Sequence, residues 1–368
     1  MKLQKRLFFT VTNDLCYDQR MIRICSSLAR NGYTVTLVGR KLSHSPPLSK
    51  QPFFQKRLYC FFTKGKTFYI EFNLRLFIYF LLSKMDMICA IDLDTILPCY
   101  FISLLKRIPR VYDAHELFCE MKEIVIRPGI YKRWKRIERF AVPKFSYGYT
   151  VNQPIAGEFK KMYGLDYCVI RNMPMLKPLI IPKKPEKYII YQGAINEGRC
   201  FETLIPAMLY VNATLVICGD GNFKRQAEKL VKQYKLEEKI ILTGKILPTD
   251  LSRYSINAWA GVTLFDDRGL SNYYSLANRF FDYLHAGLPQ LCIDFPVYRE
   301  INNLYNFAVL IDEPTAQNIA SGLNRLLDDA ALYESLQQNC LKARTILNWQ
   351  EEEKTLIAFY QKLTGSIG

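Results

Sequence analysis

The strongest constraint in the sequence is an alternation of strand and helix patterns that occurs twice along the chain. In the first series, the apolar run 7–11 is followed by a polar loop, a helical pattern up to Gly32 and a β-branched run at 33–38. In the second, the runs 188–192 and 214–218 alternate with helical patterns. Because parallel strands need a helical crossover between them, each series predicts a doubly wound α/β domain.

A change of composition between the two series predicts where the chain divides. Four prolines and four lysines are interleaved between residues 172 and 187, which is typical of a linker. We therefore expect a Rossmann-like N-terminal domain at 1–175, a linker at 176–187 and a Rossmann-like second domain at 188–349. The final helical pattern, at about 350–368, is a candidate to pack back on the first domain. A length of 368 residues suits two such domains.

The charge and cysteine content limit the class of protein. The 50 Lys and Arg exceed the 34 Asp and Glu, so a formal charge of +16 favours anionic partners, with a solvated basic surface as the alternative. The 11 cysteines contain no CxxC pair, and only three histidines accompany them, so we expect reduced buried thiols and no zinc site. The N-terminus does not resemble a secretory signal. We predict a cytoplasmic protein that can also work at the inner face of the membrane.

Two stretches bear on contact with a membrane. Residues 68–82 are the most apolar part of the chain, but they carry Glu71 and Arg75 and are too short for a spanning helix. We interpret them first as a core element and second as a helix at a membrane surface. The basic, aromatic stretch 131–136 could contact anionic lipid or form a solvated helix face. No RNP, helix-turn-helix or zinc pattern accompanies the charge, so we expect no nucleic-acid partner.

Two glycine-containing turns in the second series have the position of anion-binding loops. Gly193 ends the run 188–192, and the loop that follows carries Arg199 just before a helical pattern. Backbone N–H groups at such a helix start can bind a diphosphate, and Arg199 would add a cation. The turn Gly219-Asp220-Gly221 occupies the equivalent place after the next strand. Ordinary β–α turns are the alternative for both loops.

The segment 272–289 combines a polar helix face with an apolar one. If Ser275 caps a helix, then Ser275, Asn278, Arg279 and Asp282 share one face. A carboxylate at Asp282 can accept hydrogen bonds from both hydroxyls of a ribose. An amphipathic surface helix with an Arg–Asp pair is the alternative.

In the first series, His115 and Glu116 directly follow a short strand pattern. An imidazole and a carboxylate at this place can serve acid–base chemistry or substrate binding, although a lone histidine is also often structural. The adjacent Asp266 and Asp267 resemble a solvated turn more than a metal site, so we expect no required divalent metal.

These residues together resemble the retaining GT-B glycosyltransferases of family four. The resemblance covers nearly the whole chain and depends on five segments, which are 18–20 before the first helix, YDAHE at 112–116, YQGAINEGR at 191–199, GDG at 219–221 and FDYLHAGLP at 281–289. It implies an α/β protein of GT-B architecture, with two Rossmann-like doubly wound domains facing a central cleft.

The resemblance also implies roles for individual residues. In the family, residues at the positions of Arg199 and Asp282 contact the donor diphosphate and the ribose, and His115 with Glu116 would face the reacting sugar. Asp18 and Arg20 would contribute to the acceptor side. The donor-binding residues implied in this way are Gly193, Arg199, Gly219, Asp220, Gly221, Lys245, Ile246, Tyr274, Ser275, Asn278, Arg279 and Asp282.

Three positions depart from the family pattern. The chain has Ala194 where a second basic residue is common, Tyr274 where a glutamate is frequent, and Asp282 where glutamate is usual. We expect Arg279 to replace the missing positive charge.

The implied function is retaining transfer of a sugar from a nucleotide-diphosphate donor to an acceptor hydroxyl. The acceptor would be a saccharide or a lipid-linked saccharide in bacterial surface polysaccharide or glycolipid assembly, and neither metal nor further cofactor would be required. Closure about the linker would bring His115 over the donor. A nucleotide-sugar epimerase and a non-catalytic nucleotide-sugar-binding protein are the alternatives.

Overall fold

The computed structural model describes residues 4–179 and 186–365, which form two compact units. Unit 1 consists of Met1–Asn172 together with Glu352–Gly368, and unit 2 consists of Met173–Glu351. Residues 180–185, in the middle of the predicted linker, lie outside the described residues, as do 1–3 and 366–368.

Unit 1 is built on a parallel sheet of seven described strands in the order β3-β2-β1-β4-β5-β6-β7. The strands are β1 Arg6–Thr10, β2 Thr34–Lys41, β3 Phe54–Tyr59, β4 Met87–Ile91, β5 Arg110–Ala114, β6 Tyr147–Thr150 and β7 Cys168–Val169. The helices are α1 Gln19–Arg30, α2 Gly65–Leu82, α3 Ile96–Lys106, α4 Lys122–Val125, α5 Pro128–Ala141 and α6 Gln153–Tyr163. The change of direction between β1 and β4 is that of a doubly wound fold.

Unit 2 has a second parallel sheet, with six described strands in the order β10-β9-β8-β11-β12-β13. The strands are β8 Tyr188–Gln192, β9 Thr214–Cys218, β10 Ile240–Gly244, β11 Ala260–Thr263, β12 Gln290–Ile293 and β13 Ala308–Ile311. The helices are α7 Phe201–Ala207, α8 Lys224–Gln233, α9 Pro248–Asn257, α10 Leu270–Tyr273, α11 Asn278–His285, α12 Pro296–Tyr305, α13 Ala316–Asp328 and α14 Ala330–Ala343.

The last helix, α15 Trp349–Gly365, supplies the C-terminal part of unit 1. Tyr360 is fully buried there, with its ring centroid 6.0 Å from that of Phe9 and its hydroxyl 3.3 Å from that of Tyr149. Glu352 accepts hydrogen bonds from the backbone N–H and the guanidinium of Arg171, at 2.8 and 2.7 Å. An aromatic contact and an ion pair therefore fix this helix in unit 1.

The prediction of two doubly wound α/β domains is confirmed. The runs predicted at 188–192 and 214–218 are strands β8 and β9 with the same bounds. The helix predicted from Ser275 is wrong in its start, because the short α10 ends at Tyr273 and α11 begins only at Asn278. Edge strand β3 was not predicted, because its sequence FQKRLY carries charged side chains on an exposed edge.

Helix α2 corrects the interpretation of residues 68–82 as a core element. One face of the helix is buried through Phe68, Phe72, Leu76 and Phe80, whereas the opposite face is exposed and also apolar. Within the described residues, no helix is both long enough and apolar enough to span a bilayer. Sequence periodicity could not separate the two faces, because both consist of large apolar residues.

The backbones of the loops that follow β8 and β9 lie very close to each other. A Cβ at Gly219 would lie 1.8 Å from the carbonyl oxygen of Gly193, and one at Gly221 would lie 2.3 Å from that of Ile195. Both contacts are with backbone atoms, which have little freedom to move. Glycine at 219 and 221 is therefore a packing requirement of unit 2, whatever else these residues do.

We expect Gly219→Ala to destabilise the protein by about 3 kcal/mol, because the added methyl group overlaps a backbone carbonyl. Gly157→Ala is a suitable control, because Gly157 lies inside α6 and, apart from the backbone of its own helix, an added Cβ would have no atom within 4 Å. That change should raise stability by about 0.5–1 kcal/mol. Thermal unfolding midpoints measure both effects, and equal midpoints for the two variants would contradict the packing argument.

Candidate functional site

The candidate anion site of unit 2 begins with two loops joined by hydrogen bonds. The Gly193 N–H donates to the Cys218 carbonyl and the Ile195 N–H to the Asp220 carbonyl, both at 3.0 Å. The Phe223 N–H returns a bond to Ile195 at 2.9 Å. Because β8 and β9 are adjacent parallel strands, these bonds fix both loops at the carboxyl edge of the sheet, where ligands of open α/β sheets bind.

The loop 193–200 connects β8 to α7, and we call it the Gly193 loop. Arg199 lies near its end and is half-buried. Its guanidinium carbon is 4.1 Å from the centroid of the Phe265 ring, and its Nη1 donates to Asn272 Oδ1 at 3.2 Å. The Asn272 amide in turn donates to Asp266 Oδ1 at 3.1 Å. Asp266, one of the two adjacent aspartates, is therefore part of the scaffold that orients Arg199.

Arg279 is buried beside Gly193 with neutral hydrogen-bond partners. It is only 7% exposed, and its Nη1 and Nη2 donate to the Tyr191 hydroxyl at 3.4 Å and the Leu264 carbonyl at 3.2 Å. Its buried Nε has no partner among the described residues. A Cβ at Gly193 would lie 3.4 Å from Nη1, so bare backbone faces the guanidinium. A buried cation without an acidic partner is costly unless an anion compensates it.

The two guanidiniums share one aromatic ring. The guanidinium carbon of Arg279 is 4.7 Å from the Phe265 centroid, compared with 4.1 Å for Arg199, and a second ring, that of Tyr191, also lies 4.7 Å from Arg279. Cation–π contacts stabilise each guanidinium separately, but they do not remove the repulsion between the two positive charges. The pair therefore forms a preorganised positive region next to the Gly193 loop.

Asp282 is held in place from strand β8. Gln192 Nε2 donates to Asp282 Oδ2 at 2.7 Å, and Ser255 Oγ donates to Gln192 Oε1 at 2.7 Å. Because a carboxylate only accepts, the end of the amide that faces Asp282 is the donor, and the bond from Ser255 to the other end helps to hold the amide and the carboxylate in place. Tyr283 also contacts this strand, where its hydroxyl accepts from the Gln192 N–H at 3.0 Å and donates to the Ile190 carbonyl at 3.1 Å.

Gln192 and Ser255 were not predicted from the sequence. A buried glutamine that ends an otherwise apolar strand was the available signal for Gln192. Ser255 lies on α9, 63 residues away from Gln192 in the chain, and no local pattern indicates their contact.

The predicted cap at Ser275 is wrong. Ala277 precedes the first turn of α11, and Ser275 instead shares a 3.2 Å hydrogen bond with the Tyr298 hydroxyl. Asn278 is exposed while its neighbour Arg279 is buried, so these residues do not share one polar face with Ser275. The connection between α10 and α11 breaks the helical spacing on which that prediction depended.

The remaining predicted donor residues lie at the periphery of this arrangement. Asp220 is exposed, and its carboxylate accepts from the Gly221 N–H at 2.8 Å. Lys245 is exposed and Ile246 half-buried just beyond β10, an edge strand separated from β8 by β9. Tyr274 is half-buried, with its ring 5.4 Å from that of Tyr273.

A separate cluster of charged groups lies in unit 1 at the ends of β4 and β5. The His115 N–H donates to Asp92 Oδ1 at 2.9 Å, and His115 Nδ1 lies 3.4 Å from Asp92 Oδ2. His115 Nε2 lies 3.3 Å from Asp113 Oδ2, and the imidazole is 24% exposed. Glu116 follows and is half-buried. The imidazole is thus held between two carboxylates while one side remains open.

Arg20, predicted on the acceptor side, is buried and holds Asp113. Its Nε and Nη2 donate to the two oxygens of Asp113 at 3.3 and 2.9 Å, and its Nη1 donates to the Ile170 carbonyl at 2.9 Å. The side chain is only 4% exposed, so it positions Asp113 and is not open to an acceptor. Asp18 caps α1, where its carboxylate accepts from the Met21 N–H at 3.0 Å.

The carboxylates determine the protonation of His115. Burial alone would lower its pKa, but Asp113 and then Asp92 outweigh burial and raise the pKa to about 9. Burial raises the pKa of Asp92, and it raises that of Asp94 to about 7, although Thr12 Oγ1 donates to Asp94 at 2.6 Å. At neutral pH His115 is therefore a cation that can donate hydrogen bonds, and not a free base.

We predict that an NMR titration of the His115 ring has its midpoint near 9, because both neighbouring carboxylates favour the charged imidazole. Asp92→Asn should lower that midpoint towards the ordinary histidine value of about 6.5. Asp166→Asn is a matched control, since Asp166 is exposed and pairs with Lys160. A wild-type midpoint at or below the ordinary value would contradict the assignment.

Part of the chain matches a known protein family. Residues 179–343 match the family described as Glycosyl transferases group 1. Over 163 residues the chain is 26% identical to N-acetylgalactosamine-N,N'-diacetylbacillosaminyl-diphospho-undecaprenol 4-alpha-N-acetylgalactosaminyltransferase from Campylobacter jejuni. That alignment covers 44% of this chain and 42% of the curated relative, so the chain spans less than half the length of the protein that it matches.

The similarity to solved structures extends over nearly the whole chain. Sucrose-phosphate synthase (tll1590) from Thermosynechococcus elongatus has a TM-score of 0.76 at 15% identity, with 99% of this chain and 100% of that chain covered. Alr3699/HepE from Anabaena, solved in complex with UDP-glucose, has a TM-score of 0.73 at 11% identity, with 97% and 99% covered. At such identities the likeness establishes the fold alone.

The family match in the second half of the chain agrees with the likeness of the chain to solved glycosyltransferases. The chain thus has the GT-B fold, and its residues 179–343 carry the segment typical of glycosyl transferases group 1.

Proposed function

We propose that the chain is a retaining glycosyltransferase that moves a sugar from a nucleoside-diphosphate donor to the hydroxyl of a saccharide or lipid-linked saccharide. The observation that carries this proposal is the buried guanidinium of Arg279. It has neutral hydrogen-bond partners, its Nε has no partner among the described residues, and its Nη1 lies beside Gly193. Its charge is satisfied when an anion binds next to it.

A diphosphate is the anion that fits this place. Arg199 and Arg279 offer two guanidiniums that contact the same Phe265 ring, and the Gly193 loop leaves backbone accessible between β8 and α7. Guanidinium groups bind phosphate oxygens with two parallel hydrogen bonds, which suits a pyrophosphate. In the transfer step the developing negative charge on the leaving diphosphate would be stabilised by these fixed cations.

The nucleoside part of the donor would extend towards Asp282. Gln192 occupies one oxygen of that carboxylate and fixes its direction, and a carboxylate so oriented can accept from the vicinal hydroxyls of a ribose. Lys245 and Ile246, beyond β10, are proposed to border the base.

Relatives support the choice of donor and of acceptor. The Anabaena protein with the same fold is solved with UDP-glucose, so we propose uridine diphosphate sugars as the first donors to test. The Campylobacter relative is named for transfer to a sugar on diphospho-undecaprenol. That name supports a lipid-linked saccharide as acceptor and a place in surface polysaccharide or glycolipid assembly.

In unit 1, His115 is proposed to act as a charged hydrogen-bond donor to the reacting groups, with Glu116 beside it. Its raised pKa favours stabilisation of negative charge at neutral pH over removal of a proton. Arg20 and Asp92 would act through His115 and Asp113, as positioning residues.

We also propose that the reaction requires no divalent metal. Asp266 is engaged with Asn272, and no group of three or more acidic, histidine or cysteine side chains within 4–179 and 186–365 is arranged to hold a metal ion. The cations of Arg199 and Arg279 would take over the stabilisation of the leaving group.

Arg279→Met tests the proposed diphosphate site. The ligand is whichever of uridine, guanosine and adenosine diphosphate binds the wild type. We expect the affinity of the variant for it to fall on the order of a hundredfold, because a desolvated charge contact is lost. The thermal midpoint without ligand should stay equal or rise, since the buried charge is removed and its volume kept. Calorimetric titration and thermal unfolding measure the two effects.

Arg253→Met is the matched control, because Arg253 is exposed on α9. It should change neither affinity nor midpoint. A variant at 279 that loses stability but binds the diphosphate normally would show a structural role for Arg279 and contradict the proposal.

The activity itself is tested by turnover with and without acceptor. A thermal-shift screen identifies the donor that stabilises the protein. We expect this donor to be consumed only when a saccharide or lipid-linked saccharide is present. The product should keep the anomeric configuration of the donor sugar. Turnover should survive excess chelator, since the fixed cations replace a metal. NMR of the product reports the anomeric configuration.

Conversion of the donor to a second nucleotide sugar without acceptor would instead identify an epimerase. Donor binding without turnover over a broad acceptor panel would identify a binding protein. Loss of turnover on chelation would refute metal independence alone.

A further inference from the structure

The outward face of α2 is apolar from Ile70 to Leu82, the end of the helix. Ile70, Leu74 and Ile78 are 66%, 57% and 49% exposed, and Leu82 at the end of the helix is 82% exposed. These residues recur every four positions opposite the buried face of Phe68, Phe72, Leu76 and Phe80. Single exposed leucines are ordinary, but a continuous stripe of this length is typical of a binding surface.

Helix α3 continues this apolar face. The crossovers β3–α2–β4 and β4–α3–β5 step in the same direction along the sheet, so their right-handed connections place both helices on one side. Phe101 and Leu105 on α3 are 44% and 63% exposed. The helix ends are joined, because Lys106 Nζ donates to the carbonyls of Leu81 and Ser83, both at 3.0 Å. We define the α2–α3 surface as Ile70, Leu74, Ile78, Leu82, Phe101 and Leu105.

Basic side chains border the α2–α3 surface. Helix α5 packs beside α3, with the Phe140 and Phe101 centroids 6.5 Å apart, and it exposes Lys132, Arg133, Arg136 and Arg139. Its acidic residue, Glu138, is buried and bonded to Lys135 at 2.7 Å. On α2 the acidic residue Glu71 is paired with Arg75 at 2.8 Å. The border of the surface is therefore positive.

We propose that the α2–α3 surface docks on an anionic lipid bilayer. The apolar side chains would enter the boundary between headgroups and acyl chains, and the basic side chains of α5 would contact lipid phosphates. An apolar stripe with Lys and Arg at its side is the pattern of a helix that lies in the membrane interface and does not span it. The absence of a spanning helix in the described residues agrees with this mode.

Charge favours lipid over a second copy of the chain as the occupant. A symmetric dimer through the α2–α3 surface would bring two basic α5 helices towards each other, in a protein of formal charge +16. An anionic bilayer complements the same charge. The proposal is independent of the donor site, because its residues lie in unit 1 and vesicle binding requires no sugar.

Co-sedimentation of the full chain with vesicles tests the proposal. We expect binding to vesicles of phosphatidylcholine with phosphatidylglycerol, weaker binding to phosphatidylcholine alone, and a decrease as salt is raised. Leu74→Gln with Ile78→Gln should reduce the partition coefficient at least about tenfold through lost apolar burial. Arg133→Gln with Arg136→Gln should reduce it on the order of tenfold, and only for anionic vesicles.

Each variant has a control outside the surface. Leu304→Gln changes a leucine that is 72% exposed in unit 2, and Lys229→Gln with Lys232→Gln removes two exposed charges at the same spacing from α8. The controls should bind vesicles like the wild type, and all variants should keep the wild-type thermal midpoint.

Three results would overturn the proposal. The first is equal binding of the wild type to neutral and anionic vesicles. The second is a loss of vesicle binding in the control variants as large as that in the surface variants. The third is a wild-type dimer in light scattering that Leu74→Gln with Ile78→Gln converts to a monomer. The last would assign the surface to self-association.

Discussion

The arrangement of unit 2 depends on a buried positive charge held among neutral groups. Arg279 is enclosed by the Tyr191 and Phe265 rings and by the Gly193 loop, and its hydrogen bonds go to a hydroxyl and a carbonyl. Such a charge costs stability in the free protein, and under the proposed function a bound anion would recover that cost. The loop bonds between β8 and β9 and the close glycine contacts fix the backbone that lies next to Arg279.

In unit 1, by contrast, buried charged groups are paired with groups of opposite charge. Arg20 and Asp113 form a buried ion pair at 2.9 Å, and His115 adds a second cation beside the same carboxylate. Mutual compensation lowers the pKa of Asp113 despite its burial and raises that of His115. The result is a single charged imidazole on an otherwise neutralised cluster. Unit 2 thus holds a buried cation among neutral groups, and unit 1 holds an imidazole that is charged at neutral pH.

The proposed membrane surface and the proposed donor site are compatible with one another. A transferase that acts on a lipid-linked saccharide must meet its acceptor at a bilayer, and the α2–α3 surface would keep it there. The two proposals depend on different interactions. Docking would depend on exposed apolar area and diffuse charge, whereas donor binding would depend on a few fixed hydrogen-bond donors.

The two doubly wound domains and several residues of the candidate site could be predicted from the amino-acid sequence alone. Alternating apolar runs and helical patterns identify strands such as β8 and β9, because strand and helix periods are local properties of the chain. Arg199 was predicted from a glycine-containing loop before a helical pattern, and Arg279 and Asp282 from the polar face of another helical pattern, with the family resemblance as further support.

Which of these groups contact each other became known from the three-dimensional structure. Gln192 and Ser255 orient Asp282, and Arg20 is withdrawn to hold Asp113, through contacts between residues distant in the chain. It also separated Ser275 from Arg279 and distinguished the buried face of α2 from its exposed one. These outcomes depend on how elements pack in space, and hydrophobic periodicity carries no information about which neighbour an apolar face meets.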